Sequence, residues 1–491
     1  HGVDEELAAA AVGRAGVRIG HRRKISMTVE VNCDVVIVGA GMSGLTAARV
    51  LVDAGKSVIV LEARDRVGGR TLSKALSNGF VVDMGGQWVG PTQHRVVKLI
   101  RELGLRTFKT YNSGASLALI DGAVQRYDGI LPGLDEASGL DLAQAVEKLE
   151  ALAASIPLEA PWTHPDAAEL DRMTYAAWID ATAATAGGRW ALKFMAPSVF
   201  SVDASELSIL HVAFYFGSCG GVDILTSTEG GGQDSRFVDG MQSLATGLAA
   251  SLRDCVKLEQ VVDRIMQDEA GVTVRATSVE VRAAHVIVAL PPTLAGRLRY
   301  EPPMPPLRDS LTQRMPMGTA IKMMFRYDTP FWRSEGLSGM ALTDKDVPQL
   351  VYDNSPDDGS CGVLLGFTEG IPARDWMQRS PTERQAAGAE TLVQVFGPKA
   401  AEVREYVEHS WVSEEFSRGC YAGTMPPGAW RSFGPALRAN VGRIHWAGTE
   451  TATVWNGYVE GAMQAGERAA DDVIRALGSA IDEMDSYKGN A

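Results

Sequence analysis

The sequence predicts a two-lobed protein of mixed class, α/β in one lobe and α+β in the other, and three observations carry that expectation. At 491 residues the chain is too long for one ordinary hydrophobic core. A β-branched run, Cys33 to Val38, passes straight into Gly39-Ala40-Gly41-Met42-Ser43-Gly44, the succession of strand, glycine turn and helix from which parallel sheets with a nucleotide crevice are built. Glycine is over-represented at 52 residues of 491, so many tight turns and close backbone approaches are expected.

Composition excludes several classes. Hydrophobic residues are 45% and charged residues 22%, which fits neither disorder nor collagen nor a coiled coil. The formal charge of -13 repels phosphate backbones and anionic lipid, so neither nucleic acid nor a membrane surface is an expected partner. Five cysteines without a C-x-x-C pair give no disulfide framework and no metal site, and a reducing cytoplasm is the expected compartment. No apolar window is long enough to span a bilayer. Residues 1-30 are read as an N-terminal extension ahead of the fold. Their apolar stretch Leu7 to Val12 precedes Arg14, Arg18 and Arg22-Arg23-Lys24, the reverse of a secretory signal, and Met27 stands where a natural start would be.

The first element, Cys33 to Val38, is a buried parallel strand; Leu45 to Ala54 follows as a helix closed by Gly55, and Ser57 to Leu61 as a second strand ending at Glu62. In this Rossmann-like unit Gly39, Gly41 and Gly44 let backbone approach a pyrophosphate at the helix N-terminus, flanked by Met42 and Ser43, and Glu62 holds ribose hydroxyls. The alternative is an ordinary strand-turn-helix, against which the context of the glycines weighs. NAD and FAD share the fingerprint. Ala63-Arg64-Asp65-Arg66-Val67-Gly68-Gly69-Arg70 and Gly85-Gly86-Gln87-Trp88-Val89-Gly90 add glycine turns and arginines where a diphosphate chain would continue toward a flavin.

With these two stretches the chain resembles the flavin-containing amine oxidases, especially the monoamine oxidases. Met315 to Lys322 with Pro330-Phe331-Trp332-Arg333, Gly419-Cys420-Tyr421 with Pro426-Pro427-Gly428, and Trp446 to Ala452 with Trp455 to Ala462 are similar to further segments of that family in the same order, from about Val31 to Leu477. The resemblance implies an FAD-linked amine oxidase fold. Its FAD-binding domain would take residues 31-106, 238-311 and 414-477, and its substrate domain residues 107-237 and 312-413, leaving 478-491 as a polar tail where membrane-bound members carry an apolar anchor. In the middle FAD segment a helix is expected at Met241 to Leu252 and strands at Val256 to Leu258, Val272 to Ala276 and Val286 to Leu290.

The resemblance also implies roles. Gly39, Gly41, Met42, Ser43, Gly44, Glu62, Ala63, Arg64, Gly69, Arg70, Gly86, Gln87, Trp88, Val261, Trp411, Cys420, Gly448, Glu450, Tyr458 and Val459 would hold FAD. Cys420 matches a position that forms a thioether to the flavin in some members, although Arg418 stands where their pattern has a glycine. Tyr421 and Tyr458 would flank the amine as a two-ring cage, and Lys322 would stand near the flavin N5 and favour reaction with oxygen. Gln233, Phe200, Leu225 and Phe367 would line the substrate cavity. Phe194, Met195, Phe214 and Phe216, also in bulky apolar segments of the substrate lobe, are further candidates for its wall.

In the expected reaction the carbon beside a neutral amine gives up its hydrogen, formally as hydride, to the flavin, by a hydride or a polar nucleophilic mechanism. The imine is hydrolysed to a carbonyl compound and ammonia, and O2 is reduced to H2O2. Apolar surroundings favour the neutral amine. A small apolar primary amine is the expected substrate, as in the soluble bacterial cyclohexylamine oxidases. A polyamine or putrescine oxidase and an L-amino-acid oxidase are the alternatives. A homodimer is left open.

Overall fold

The computed structural model describes residues 29–128, 132 and 134–488. At the centre of the nucleotide lobe is a five-stranded parallel sheet in the order Val256–Lys257, Val58–Leu61, Val35–Val38, His285–Val288, Ile444–Trp446. Val35, Val36 and Ile37 are completely buried, because helices and a second sheet cover both faces; this is why the strand reads as an unbroken β-branched run. The helix Met42–Asp53 follows the glycine turn and ends as Gly55 turns left-handed. It packs along the last helix, Val459–Lys488.

The second sheet moves one expected boundary. It runs Val29–Asn32, Val279–Ala283, Val272–Arg275, Arg264–Gln267, Arg299–Glu301. Val29 and Glu30, assigned to an extension, pair in register with Val279 and Glu280, so the sheet begins inside the 1-30 stretch; residues 1–28 lie outside the described residues. The expected strand Val272 to Ala276 thus has flanking partners that short, half-exposed, charge-bearing runs did not announce. The expected Val286 to Leu290 is His285–Val288, and a short helix begins at Pro292. At the other end, the final helix crosses residue 478 without a break and continues to Lys488, so the start of the expected tail is helical.

The other lobe is a seven-stranded sheet with a helical layer. Its order is Glu405–Ser410, Ala320–Tyr327, Gly362–Glu369, Leu350–Asp353, Leu337–Thr343, Ala115–Ile120, Ala123–Tyr127. The helices Glu136–Ser155, Tyr175–Thr182, Ala186–Phe200 and Ile209–Cys219 share one apolar core. Thr174, Thr185 and Ser208 cap three of them by accepting a backbone N–H. Antiparallel register then sets the site: Lys322 lies opposite Phe367, and Phe367 opposite Leu350. Residues directly opposite one another project to one face, so a single rung presents a cation, a ring and a hydrocarbon together.

Candidate active site

One cavity of about 620 Å³ is bounded by both lobes. Of the expected cofactor-holding residues, Gly39, Gly41, Met42, Ser43, Glu62, Ala63, Arg64, Gly69, Arg70, Gly86, Gln87, Trp88, Val261, Trp411, Cys420, Gly448, Tyr458 and Val459 stand on its wall, with Lys322, Tyr421, Gln233 and Phe367.

The nucleotide side has the form of a cradle. Helix Met42–Asp53 begins with no side-chain cap and no acidic residue in its first turn, so its N-terminal dipole and free N–H groups are available to an anion. A Cβ added at Gly69 would come 3.4 Å from the Gly41 Cα; side chains there would fill the gap between the two turns. Buried Glu62 ends the second strand and accepts from the Ala40 N–H at 2.7 Å and the Arg64 N–H at 3.0 Å. Each oxygen keeps a further lone pair for hydroxyl groups. An uncapped helix end, a glycine cradle and a carboxylate at the strand end suit a dinucleotide diphosphate and its ribose.

Two of the expected FAD residues stand behind the wall. Gly44 packs helix on strand: a Cβ there would lie 2.0 Å from the Gly39 oxygen. Glu450 is fully buried and locked to Arg70, with Nη1 to Oε1 at 2.6 Å and Nη2 to Oε2 at 3.1 Å, and it accepts from the Gly423 N–H at 3.2 Å. Arg70 Nη1 also donates to the Tyr421 carbonyl at 2.8 Å. This two-pronged pair therefore ties the glycine-rich stretch to the tyrosine segment.

On the substrate side, Tyr421 and Tyr458 both line the cavity. Burial holds both phenols well above their ordinary range, so they are neutral. Tyr458 is hydrogen-bonded with Tyr215 and packs edge-on against Trp455 at 4.8 Å. Tyr421 stands perpendicular to Phe367 at 6.2 Å, and its hydroxyl is hydrogen-bonded with Glu369. Burial raises the Glu369 carboxyl to about 8, against the Tyr421 and Ser201 hydrogen bonds and the Lys322 charge. Lys322 donates to the Gly85 carbonyl at 2.9 Å and to Gln87 Oε1 at 2.5 Å. Burial pulls its ammonium down, and Asp83 pulls it back up.

Trp411 is buried on the wall and donates to the Met84 carbonyl at 2.8 Å. Cys420 is on the wall too, its thiol pushed up by burial, and a cis peptide joins it to Tyr421. Arg418 has φ of 60, in the left-handed region that favours glycine. Gln233 lines the cavity, and its Oε1 has no hydrogen-bond partner among the described residues.

The apolar wall differs from the expectation. Phe200 and Leu225 are buried in the helical core rather than on the cavity, and Phe200 packs on Tyr215 at 4.6 Å. Phe194, Met195, Phe214 and Phe216 are likewise absent from the wall. Helix Ile209–Cys219 is apolar almost all round, so composition does not separate its core face from its cavity face. The wall instead takes Tyr215 from that helix, Ser198 from Ala186–Phe200, and Leu350 and Tyr352 from the sheet. Trp88 packs edge-on against Tyr352 at 5.3 Å. Leu350 and Tyr352 were missed; the alternation of the strand Leu350–Asp353, placing both on one face, is the signal that could have found them.

Among the described residues, no helix is long and apolar enough to cross a membrane, and no cluster of side chains is suited to a metal ion.

The sequence profile of flavin containing amine oxidoreductases matches residues 42–474. The chain is 39% identical to a probable flavin-containing monoamine oxidase A of Dictyostelium discoideum, over 90% of this chain and 97% of that one. It is 38% identical to an L-amino acid dehydrogenase of Synechocystis, over 91% and 96%. Putrescine oxidase bound to putrescine superposes with a TM-score of 0.86 at 36% identity, and cyclohexylamine oxidase from Brevibacterium oxydans with 0.86 at 34%, each covering 91% of this chain and 100% of the other. The chain belongs to the flavin-containing amine oxidases, oxidoreductases whose cofactor is FAD.

Proposed function

We propose that the chain oxidises small apolar primary amines, with O2 as the acceptor, to a carbonyl compound, ammonia and H2O2. The observation that carries this is the wall around Tyr421 and Tyr458: Trp88, Tyr215, Leu350, Tyr352 and Phe367 offer rings and hydrocarbon, and the charged group among them is Lys322. The carboxylates on the cavity wall are Glu62, Asp263 and Glu415, none of them on the seven-stranded sheet or the helical layer. A distal ammonium would meet the Lys322 cation and no counter-charge, and an unpaired buried charge costs several kcal/mol.

Bound FAD supplies the two-electron acceptor and returns the electrons to O2. The protein's own residues orient and desolvate. The negative ring faces of Tyr421 and Tyr458 would guide the nitrogen, and the apolar wall would favour the neutral amine, which alone has the lone pair the reaction needs. Lys322 would place positive charge where negative charge develops as oxygen reacts. Cys420, a buried neutral thiol on the wall, is a candidate for a thioether to the flavin. Acid precipitation tests it: a yellow pellet means attachment, a yellow supernatant means none.

An amino-acid substrate is favoured by one feature, the Lys322 cation, which could face a carboxylate. The arginines Arg64 and Arg70, by contrast, are already engaged with Glu414 and Glu450. The deciding experiment adds cyclohexylamine or benzylamine to the purified holoenzyme without oxygen, then admits air. Bleaching of the flavin followed by peroxide supports the reading; flavin that stays yellow with every primary amine rejects it.

A further inference from the structure

Lys322 is almost completely shielded from water, and burial pulls its ammonium well below the ordinary range, so the bonds around it bear on whether it keeps its proton. Its carrier strand Ala320–Tyr327 is flanked by strands on both sides, and the ammonium reaches over to the loop before Trp88. There it meets Gly85 O at 2.9 Å and Gln87 Oε1 at 2.5 Å. An ammonium has three N–H donors, so one remains for the cavity. The acceptor offered by Gln87 is not left to chance. Gln87 Nε2 donates to Asn354 Oδ1 at 3.0 Å, and Asn354 Nδ2 donates to the Met324 sulfur at 3.5 Å. The Asn354 backbone carbonyl accepts from Arg236 Nη2 at 2.9 Å. Gln87 and Asn354 are 2% and 0% exposed, so water cannot substitute for either bond.

We propose that Gln87 is a positioning residue that keeps Lys322 charged and aimed at the cavity, and that Asn354 enforces this by holding the glutamine with its oxygen, not its NH2, toward the lysine. The groups facing Lys322 are otherwise divided. Asp83 favours its charge, Arg236 opposes it, and burial opposes it most; Glu369 and Cys420 also face it, but burial favours their neutral, protonated forms. With the glutamine oxygen removed, burial prevails and the proton leaves at lower pH; with a carboxylate in its place, the proton is held to higher pH.

This inference rests on the proposed function only in taking Lys322 to face the flavin. The test is a pH titration of the holoenzyme followed by flavin absorbance, which a nearby charge perturbs, together with the pH profile of reoxidation by O2. Relative to the unaltered enzyme, Gln87→Met should lower the midpoint by about one to two pH units, the scale of a hydrogen bond to a buried charge, and Gln87→Glu should raise it. Lys322→Met should abolish it. If Gln87→Met fails to retain flavin, Asn354→Leu carries the test: the freed amide can turn, and the midpoint should fall. The proposal is overturned by a midpoint that stays in place in the variants, that moves the same way in the Met and Glu variants, or that survives Lys322→Met. The two readings fail separately. An enzyme that produces no peroxide from any amine rejects the function, whereas an active enzyme with an unmoved midpoint rejects the role of Gln87.

Discussion

The two sides of the cavity are built on different principles. The nucleotide side is assembled from residues close in the chain: Gly39, Gly41, Met42, Ser43 and Glu62 all come from one strand-turn-helix-strand unit. The substrate side is assembled across the chain, with Tyr215, Lys322, Leu350, Phe367, Tyr421 and Tyr458 brought together by sheet register and helix packing. Local backbone geometry makes the first side sensitive to a single methyl group. The second side depends on charge and on which face of an element a residue occupies, and it should respond to pH and chemistry more than to small changes of volume.

The sharpest break in this comparison comes from Gly44→Ala. The added Cβ would lie 2.0 Å from the Gly39 oxygen, which is backbone and has no flexible side chain to swing away. Flavin retention should fall by a hundredfold or more, about 3 kcal/mol, read as flavin content after gel filtration. Full flavin content in a folded variant would show that the turn tolerates far more than its geometry implies.

Lys322→Met acts on the other side. Reoxidation by O2 should slow by roughly a hundredfold, while anaerobic reduction by amine changes by less than about threefold, because the charge is proposed to act on the oxygen step. Stopped-flow measurement separates the half-reactions, and equal losses in both would make Lys322 a structural residue.

Glu369→Gln probes the same side through stability. The folded carboxyl titrates at about 8 against an ordinary 4.5, so between these values the native state holds a proton that the unfolded chain has released. Stability from this group is therefore complete below pH 4.5 and is lost as pH rises toward 8. The variant should match the unaltered protein near pH 4.5 and gain about 2–4 kcal/mol on it at pH 8, as read from denaturant midpoints. A difference that does not change with pH would contradict the assignment.

The smallest effect belongs to the nucleotide lobe. His445 and His285 meet at 3.1 Å in neighbouring parallel strands, and burial, with the His285 neighbour, lowers His445 from 6.5 to about 4. Its contribution is complete above pH 6.5 and is lost as pH falls toward 4, amounting to about 1–2 kcal/mol. His445→Gln should flatten that acid limb of the unfolding curve, and an unchanged limb would place the acid sensitivity elsewhere.

What could be seen in the sequence follows the same division. The turn at Gly39, the helix after it and the acid at Glu62 are consecutive, and each has its own local signature. Lys322, Tyr421 and Tyr458 were found because they sit in segments resembling a family, and each of them lies on the cavity wall. The apolar wall had no such signal. Phe200, Leu225, Phe214 and Phe216 are as hydrophobic as any lining residue, yet they fill the helical cores, and the wall takes Ser198 and Tyr215 from the same helices. The rung of Lys322, Phe367 and Leu350 depends on the register of three strands, which hydrophobicity alone does not specify. Glu450 reads as a flavin neighbour in its segment, but its partner Arg70 is 380 positions away in the chain, and only the folded protein shows that the pair occupies both carboxylate oxygens.

The most direct test of the account is the ratio of kcat/KM for cyclohexylamine or benzylamine to that for putrescine and for leucine, measured at one pH with peroxide detection. An apolar wall with Lys322 as its charged group predicts a ratio above ten in favour of the apolar amines, at least about 1.4 kcal/mol in transition-state binding. A tenfold preference for putrescine or leucine would contradict it and would mean that the cavity pairs a second charge on the substrate.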